Sequence, residues 1–131
     1  MSRVIDSGAL VELLVRHGPE GTVTHPEIAG HELHAPHLID PEFLNATRKM
    51  LTRSAISLTE ADELRMSYAR IDITRYAHDA LANRAWSLRD NISPYDAMYV
   101  ALAATLQVGL ITADRRLARA AEPHCEVYLL R

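Results

Sequence analysis

Two rhythms of apolar and polar positions alternate along the chain. Arg3 to Asp6 is a short apolar run ending in an acid, and from Gly8 to Arg16 the residues Leu10, Leu13 and Leu14 fall on one helical face. A strand and then a helix are expected there. His17 to Gly30, with Gly18-Pro19 and Gly21, is turn-rich with room for one short helix. Leu33 to Leu38 (LHAPHL) reads as a second short strand whose pairing Pro36 limits. Asp40-Pro41 offers an N-cap and a first-turn proline, after which Phe43, Leu44, Thr47 and Leu51 continue a helical stripe. Thr59-Glu60-Ala61-Asp62 resembles a capping box and predicts a helix reaching Arg70. His78 to Arg89 gives another, with Ala82, Ala85, Trp86 and Leu88 as its apolar positions. Ser93-Pro94-Tyr95-Asp96 opens the very apolar helix Ala97 to Leu106, which Gly109 is expected to end before the strand Leu110-Ile111-Thr112. Arg115 to Ala121 is a short polar helix, and Glu126 to Leu130 (EVYLL) is a closing strand. Short apolar strands alternating with helices imply parallel pairing and an α/β sandwich.

Composition narrows this picture. A chain of 131 residues, 48% hydrophobic and 24% charged, is expected to form one domain over residues 1–131 with a real core. With 5 Gly and 6 Pro it is not a low-complexity chain. The single Cys125 excludes an intramolecular disulfide and a multi-cysteine metal cluster, and suits a reducing compartment. Asp6 and Glu12 interrupt the apolar start and no small-residue cleavage signal follows, so a cytoplasmic chain is expected. Ala97 to Ala113 carries no charge, but Thr105, Gln107 and Gly109 divide it, which favours a buried helix and strand over a membrane span. The formal net charge of -3 supplies no global positive field and, taken alone, argues against a nucleic-acid partner.

In an open parallel sheet, ligands bind beyond the carboxyl ends of the strands, where helices begin. At those junctions stand Asp6, Glu42, Asp96 and Asp114, all of them carboxylates. Carboxylates converging in one cleft repel one another and call for a cation, and an oxygen-only ligand set suits Mg2+ or Mn2+. Each position is also one where a helix favours an acid, so capping alone explains them singly, though it does not require all four at one sheet edge. The two roles are compatible. A phosphate-binding G-x-x-x-x-G-K-[ST] loop and a G-x-G-x-x-G fingerprint are both absent. His31, His34 and His37 are evenly spaced, but an extended segment around Pro36 would not gather them on zinc, and surface or loop positions are expected. Trp86 and Tyr99 sit at helical apolar positions and are expected in the core. Arg115 and Arg116 follow Asp114 closely enough to hold a phosphate beside the acids, although a solvated helical face is the ordinary reading of such a cluster.

VIDSGALVELL at the start, HAPHLIDPEFLNATRK around Glu42, RAWSLRDNISPYDAMYVALA around Asp96 and LITADRRLARA around Asp114 together resemble, over nearly the full length, the PIN-domain nucleases of the VapC type. The resemblance implies a three-layer α/β/α sandwich with a mainly parallel sheet. It also implies an endoribonuclease dependent on Mg2+ or Mn2+, the toxin of a bacterial toxin–antitoxin pair, working as a homodimer with a cognate antitoxin. The acidic metal-binding residues of that family fall on Asp6, Glu42, Asp96 and Asp114, with Thr112 as the accompanying threonine. One position departs from the pattern: the usual Ser or Thr two residues after the first aspartate is Gly8, with Ser7 beside it as a possible supporting hydroxyl. Two alternatives stay open, a catalytically weakened binding module and a metal-dependent nuclease or phosphatase with a non-RNA substrate. One or two divalent ions on the acids would shift the formal charge from -3 to between -1 and +1, which removes the objection to RNA.

Overall fold

The computed structural model describes residues 1–131. Five strands, β1 (Ser2–Ile5), β2 (Glu32–Pro36), β3 (Ile73–Tyr76), β4 (Gly109–Thr112) and β5 (Val127–Leu129), form one sheet in the order β3-β2-β1-β4-β5. Every pairing is parallel, with Val4 opposite His34 on one side and Leu110 on the other. Six helices flank it: α1 (Ser7–Val23), α2 (Ile39–Thr52), α3 (Leu58–Ala69), α4 (Ala82–Ser87), α5 (Pro94–Leu106) and α6 (Arg115–Ala121). From β1 the chain moves outward to β2 and β3, then returns to β4 and moves the opposite way to β5. Right-handed crossovers therefore set α1, α2 and α3 on one face and α4, α5 and α6 on the other. The contacts agree, since α1, α2 and α3 pack on one another while α5 packs on α4 and lies across β1, β2 and β4.

The reversal of strand order falls between β1 and β4. On those two strands Val4, Ile5, Leu110 and Ile111 are inaccessible to solvent, as expected for central strands covered on both faces. α5 continues that core through Ala97, Tyr99, Val100, Leu102 and Ala103, so it is buried almost all round, as its sequence requires. Its N-terminus is made as expected: Ser93 caps, Pro94 fills the first turn, and the Ser93 hydroxyl accepts the Asp96 N–H at 3.3 Å.

Several local expectations need correction. β3 was missing from the sequence reading because two of its four residues are polar, and Arg75 spends its charge sideways on Asp40, at 2.8 Å. That pairing also explains why Asp40 does not cap α2: the helix starts two residues earlier, after Leu38, and Asp40 ties its first turn to Arg75 and to the Tyr68 hydroxyl. The capping box of α3 is Ser57 with Glu60. α5 ends at Gln107, which takes the left-handed conformation at φ 57°, whereas Gly109 opens β4. A glycine is needed there for space, because a Cβ would run into the Tyr128 ring. Gly18, at φ 71°, breaks α1, and Pro19 restarts the short helix expected in the turn-rich stretch. Trp86 is not in the core: it stands 67% exposed on α4.

Candidate active site

Each of the four acids is positioned by the start of a helix. Asp6 follows β1 and caps α1, its Oδ1 accepting the Ala9 N–H at 2.8 Å. Asp114 follows β4 and caps α6, with one oxygen accepting the N–H groups of Arg116 and Leu117 at 2.9 and 3.2 Å. Because β1 and β4 are the neighbours at which the chain reverses, these two acids flank the topological switch point, where such sheets bind ligands. Glu42 enters from the first turn of α2 and Asp96 from the first turn of α5. Capping thus accounts for Asp6 and Asp114 and leaves Glu42 and Asp96 without that explanation.

The electrostatics tie the four together. Asp6 is 7% exposed, and its carboxyl is pushed up to about 6, first by burial and then by the charges of Asp96 and Asp114, against the opposing hydrogen bonds of Thr112 and Ala9. Burial is also the main cause of the upward shift of Glu42, which Asp96 adds to, and of Asp96, which Asp114 adds to. The fold's ion pairs lie elsewhere, on Glu12, Glu27, Glu32, Asp40 and Asp62, so no arginine neutralises any of the four. Asp6, Glu42 and Asp96, buried or half-buried, with proton affinity raised by burial and by neighbouring acids and with no basic partner, are chemically suited to a hard divalent cation. As oriented here the side chains do not form a closed cation cage. Instead Asp6, Asp114 and Glu42 each turn an oxygen to a local hydrogen-bond donor.

Those donors form a supporting layer. The buried Thr112 hydroxyl supports the charge of Asp6 and accepts the Asp114 N–H at 3.1 Å, joining the acids at the ends of β1 and β4. The Ser7 hydroxyl donates to Glu42 Oε1 at 3.3 Å, so the expected supporting serine acts on Glu42. The same oxygen accepts the Tyr99 hydroxyl at 2.5 Å, a contact the sequence reading missed. Tyr99 is indeed in the core, 1% exposed, as expected. Its signal was a lone phenol in a helix of Ala, Val and Leu, since a buried tyrosine hydroxyl needs a polar partner. Gly8 leaves room: a Cβ there would lie 3.8 Å from Asp6 Oδ1, an ordinary contact.

Beside the acids opens a cleft of about 280 Å³ lined by Asn91, Ile92, Ser93, Asp96, Asp114 and Arg116. The two arginines singled out from the sequence part company here. Arg116 borders this cleft, whereas Arg115 lines a separate one with Arg119 and Arg131. Of the evenly spaced histidines, His34 is buried in β2 with Nδ1 2.8 Å from the Tyr76 hydroxyl, and the three do not converge as a metal set.

A parallel α/β/α sandwich with four carboxylates at its switch point defines the class: an α/β protein with an acidic site beyond the carboxyl ends of its strands. The chain belongs to the PIN domain family, which matches residues 3–123, and within it to the VapC ribonucleases. It is similar to VapC ribonuclease Mb0985 of Mycobacterium bovis, 34% identical over 124 residues that cover 95% of this chain and 94% of the relative. Ribonuclease VapC1 of Mycobacterium tuberculosis is 36% identical over 129 residues, 98% of this chain and 97% of the relative. Among solved structures the fold resembles PAE2754 from Pyrobaculum aerophilum, with a TM-score of 0.69, 21% identity and coverage of 97% and 83% of the two chains. It also resembles VapBC2 from Rickettsia felis bound to a DNA fragment from their promoter, with a TM-score of 0.70, 13% identity and full coverage of both.

Proposed function

We propose that the protein is a divalent-metal-dependent endoribonuclease, the toxin of a toxin–antitoxin pair, and that its site is built on Asp6, Glu42, Asp96 and Asp114. The observation that supports this most is four carboxylates at the switch point, three of them with raised proton affinity and none with a basic partner. Mg2+ or Mn2+ held by these oxygens supplies charge neutralisation on the phosphate and activation of water for phosphodiester hydrolysis. Thr112 and Ala9 hold Asp6 at the end of β1, and Ser7 and Tyr99 hold one oxygen of Glu42, leaving its second oxygen without a side-chain donor. Arg116, at the border, is placed to meet a phosphate of the bound strand; Arg115 and its neighbours meet a more distant one. The cognate antitoxin, a homodimeric assembly, a single domain over residues 1–131 and a cytoplasmic site of action belong to this same reading. No helix is long and apolar enough to cross a membrane.

The test is cleavage of structured and single-stranded RNA with added Mg2+ or Mn2+, comparing the parent with Asp6→Ala and Asp96→Ala. Loss of cleavage in both variants is expected. Equal cleavage by all three proteins overturns the site, and cleavage of single-stranded DNA or a small phosphate ester in preference to RNA overturns the substrate.

A further inference from the structure

Trp86 is the chain's single tryptophan, and an indole left two-thirds in water on a short helix is unusual enough to ask what it meets. Beside it lies an apolar pocket of about 230 Å³, floored by Ala82, Ala85, Pro94 and Met98. The Arg89 guanidinium stands over the indole, 5.0 Å from the ring centroid, and its stem lines the same pocket. The far wall is Ile92, only 6% exposed, and Ile92 is also a wall of the acidic cleft that holds Asp96 and Asp114. Pro94, on the pocket floor, and Asp96, in the cleft, belong to the same first turn of α5. The two depressions are therefore adjacent and share Ile92 as a lining residue.

We propose that this pocket receives one unpaired nucleobase of the RNA, stacked on Trp86, next to the nucleotide whose phosphodiester lies among the acids. The inference rests on the nuclease reading above. An aromatic face with an arginine beside it is how proteins hold the bases of a single strand with little sequence demand. The lining carries the complementary charge, since Arg89 in this pocket and Arg116 in the acidic cleft are exposed and free of the fold's ion pairs. A second protein chain fits less well. A stable interface buries at least about 1,000 Å² in total, whereas this pocket encloses only about 230 Å³.

Because no other tryptophan is present, tryptophan fluorescence, excited beyond the absorption of the five tyrosines, reports this pocket alone. The experiment titrates the full chain, in EDTA, with a single-stranded oligoribonucleotide and with versions carrying one abasic position each. Cleavage of the same oligonucleotide is then followed with Mn2+ for the parent, Trp86→Ala and Trp86→Tyr. The proposal expects saturable quenching that one abasic position abolishes. It also expects a KM about 5- to 150-fold higher for Trp86→Ala, the range of one lost base stack, with kcat falling by less and Trp86→Tyr recovering most of the loss. Fluorescence that RNA leaves unchanged while the parent cleaves it overturns the pocket, as does Trp86→Ala cleaving with the parent's KM. Fluorescence that responds to dilution of the protein and not to RNA also overturns it, making a second copy the occupant. Failure of the nuclease reading looks different: the parent then cleaves no RNA, whatever the indole reports.

Discussion

Asp6→Asn separates what the site costs the fold from what it does for chemistry. The Asp6 carboxyl is buried and its proton affinity is raised from 3.8 to about 6, mainly by burial and further by Asp96 and Asp114. A group whose folded-state value lies above its unfolded value contributes its full stability below pH 4 and loses it as pH rises through 6. At 1.36 kcal/mol per pH unit, ionised Asp6 burdens the cation-free fold at pH 7.5 by about 3 kcal/mol. Asparagine still accepts the Ala9 N–H as an N-cap, but it exchanges a charged acceptor for a neutral one toward Thr112, a loss of about 1 kcal/mol. The net expectation is that Asp6→Asn stabilises the protein in EDTA at pH 7.5 by about 2 kcal/mol. Urea denaturation at pH 7.5 and at pH 4 measures it, and most of the gain should disappear at pH 4, where Asp6 is protonated in the folded chain and the pH lies close to the unfolded value of 3.8. Saturating Mn2+ should reverse the order, because a ligand at one hundred times its Kd adds about 2.7 kcal/mol to the parent and little to the variant. A variant no more stable than the parent in EDTA, or a gain as large at pH 4 as at pH 7.5, would refute the reasoning.

Tyr99→Phe keeps the buried ring and removes one of two donors to Glu42, so Mn2+ affinity by calorimetry should fall about 5- to 10-fold while the fold survives. Gly8→Ser places a hydroxyl near Asp6 without a clash and replaces glycine in the first turn of α1. Thermal stability should rise by about 0.5 kcal/mol and Mn2+ should bind more tightly, whereas a loss of either refutes the account of that position. Gly109→Ala drives a methyl into the Tyr128 ring, itself stacked under Arg3 at 3.6 Å, and should cost about 1–3 kcal/mol in urea denaturation without changing the response of the remaining folded protein to Mn2+. Arg116→Ala should raise KM for RNA more than Arg115→Ala, since only the first borders the acidic cleft, and the reverse order would count against the placement of the strand.

What the sequence made legible and what it hid have a common physical basis. Elements that satisfy themselves locally were readable: β1 and β4 as apolar runs, α5 through Ser93, Pro94 and its uninterrupted Ala, Val and Leu, and the acids because each stands where a strand hands over to a helix. What was hidden depends on partners distant in the chain. Arg75 in β3 makes sense only with Asp40, 35 residues away, and Asp40 fails to cap α2 for the same reason. Tyr99 had to be assigned to the core from its spacing, and it is there; its hydroxyl's partner, 57 residues earlier, exists only once α2 and α5 meet across the sheet edge. Trp86 is the reverse case, since periodicity assigned it to the core and the tertiary fold left it outside. Helical spacing says which side chains share a face and cannot say which faces are covered. α4 has six residues, packs on α5 and buries only Ala85, so Trp86 stands on its uncovered side. The mismatch between an apolar sequence position and an exposed tryptophan is what directs attention to the pocket beside the acids. Errors of this kind are informative because a large apolar side chain kept in water is a cost to the isolated fold that a bound ligand can offset.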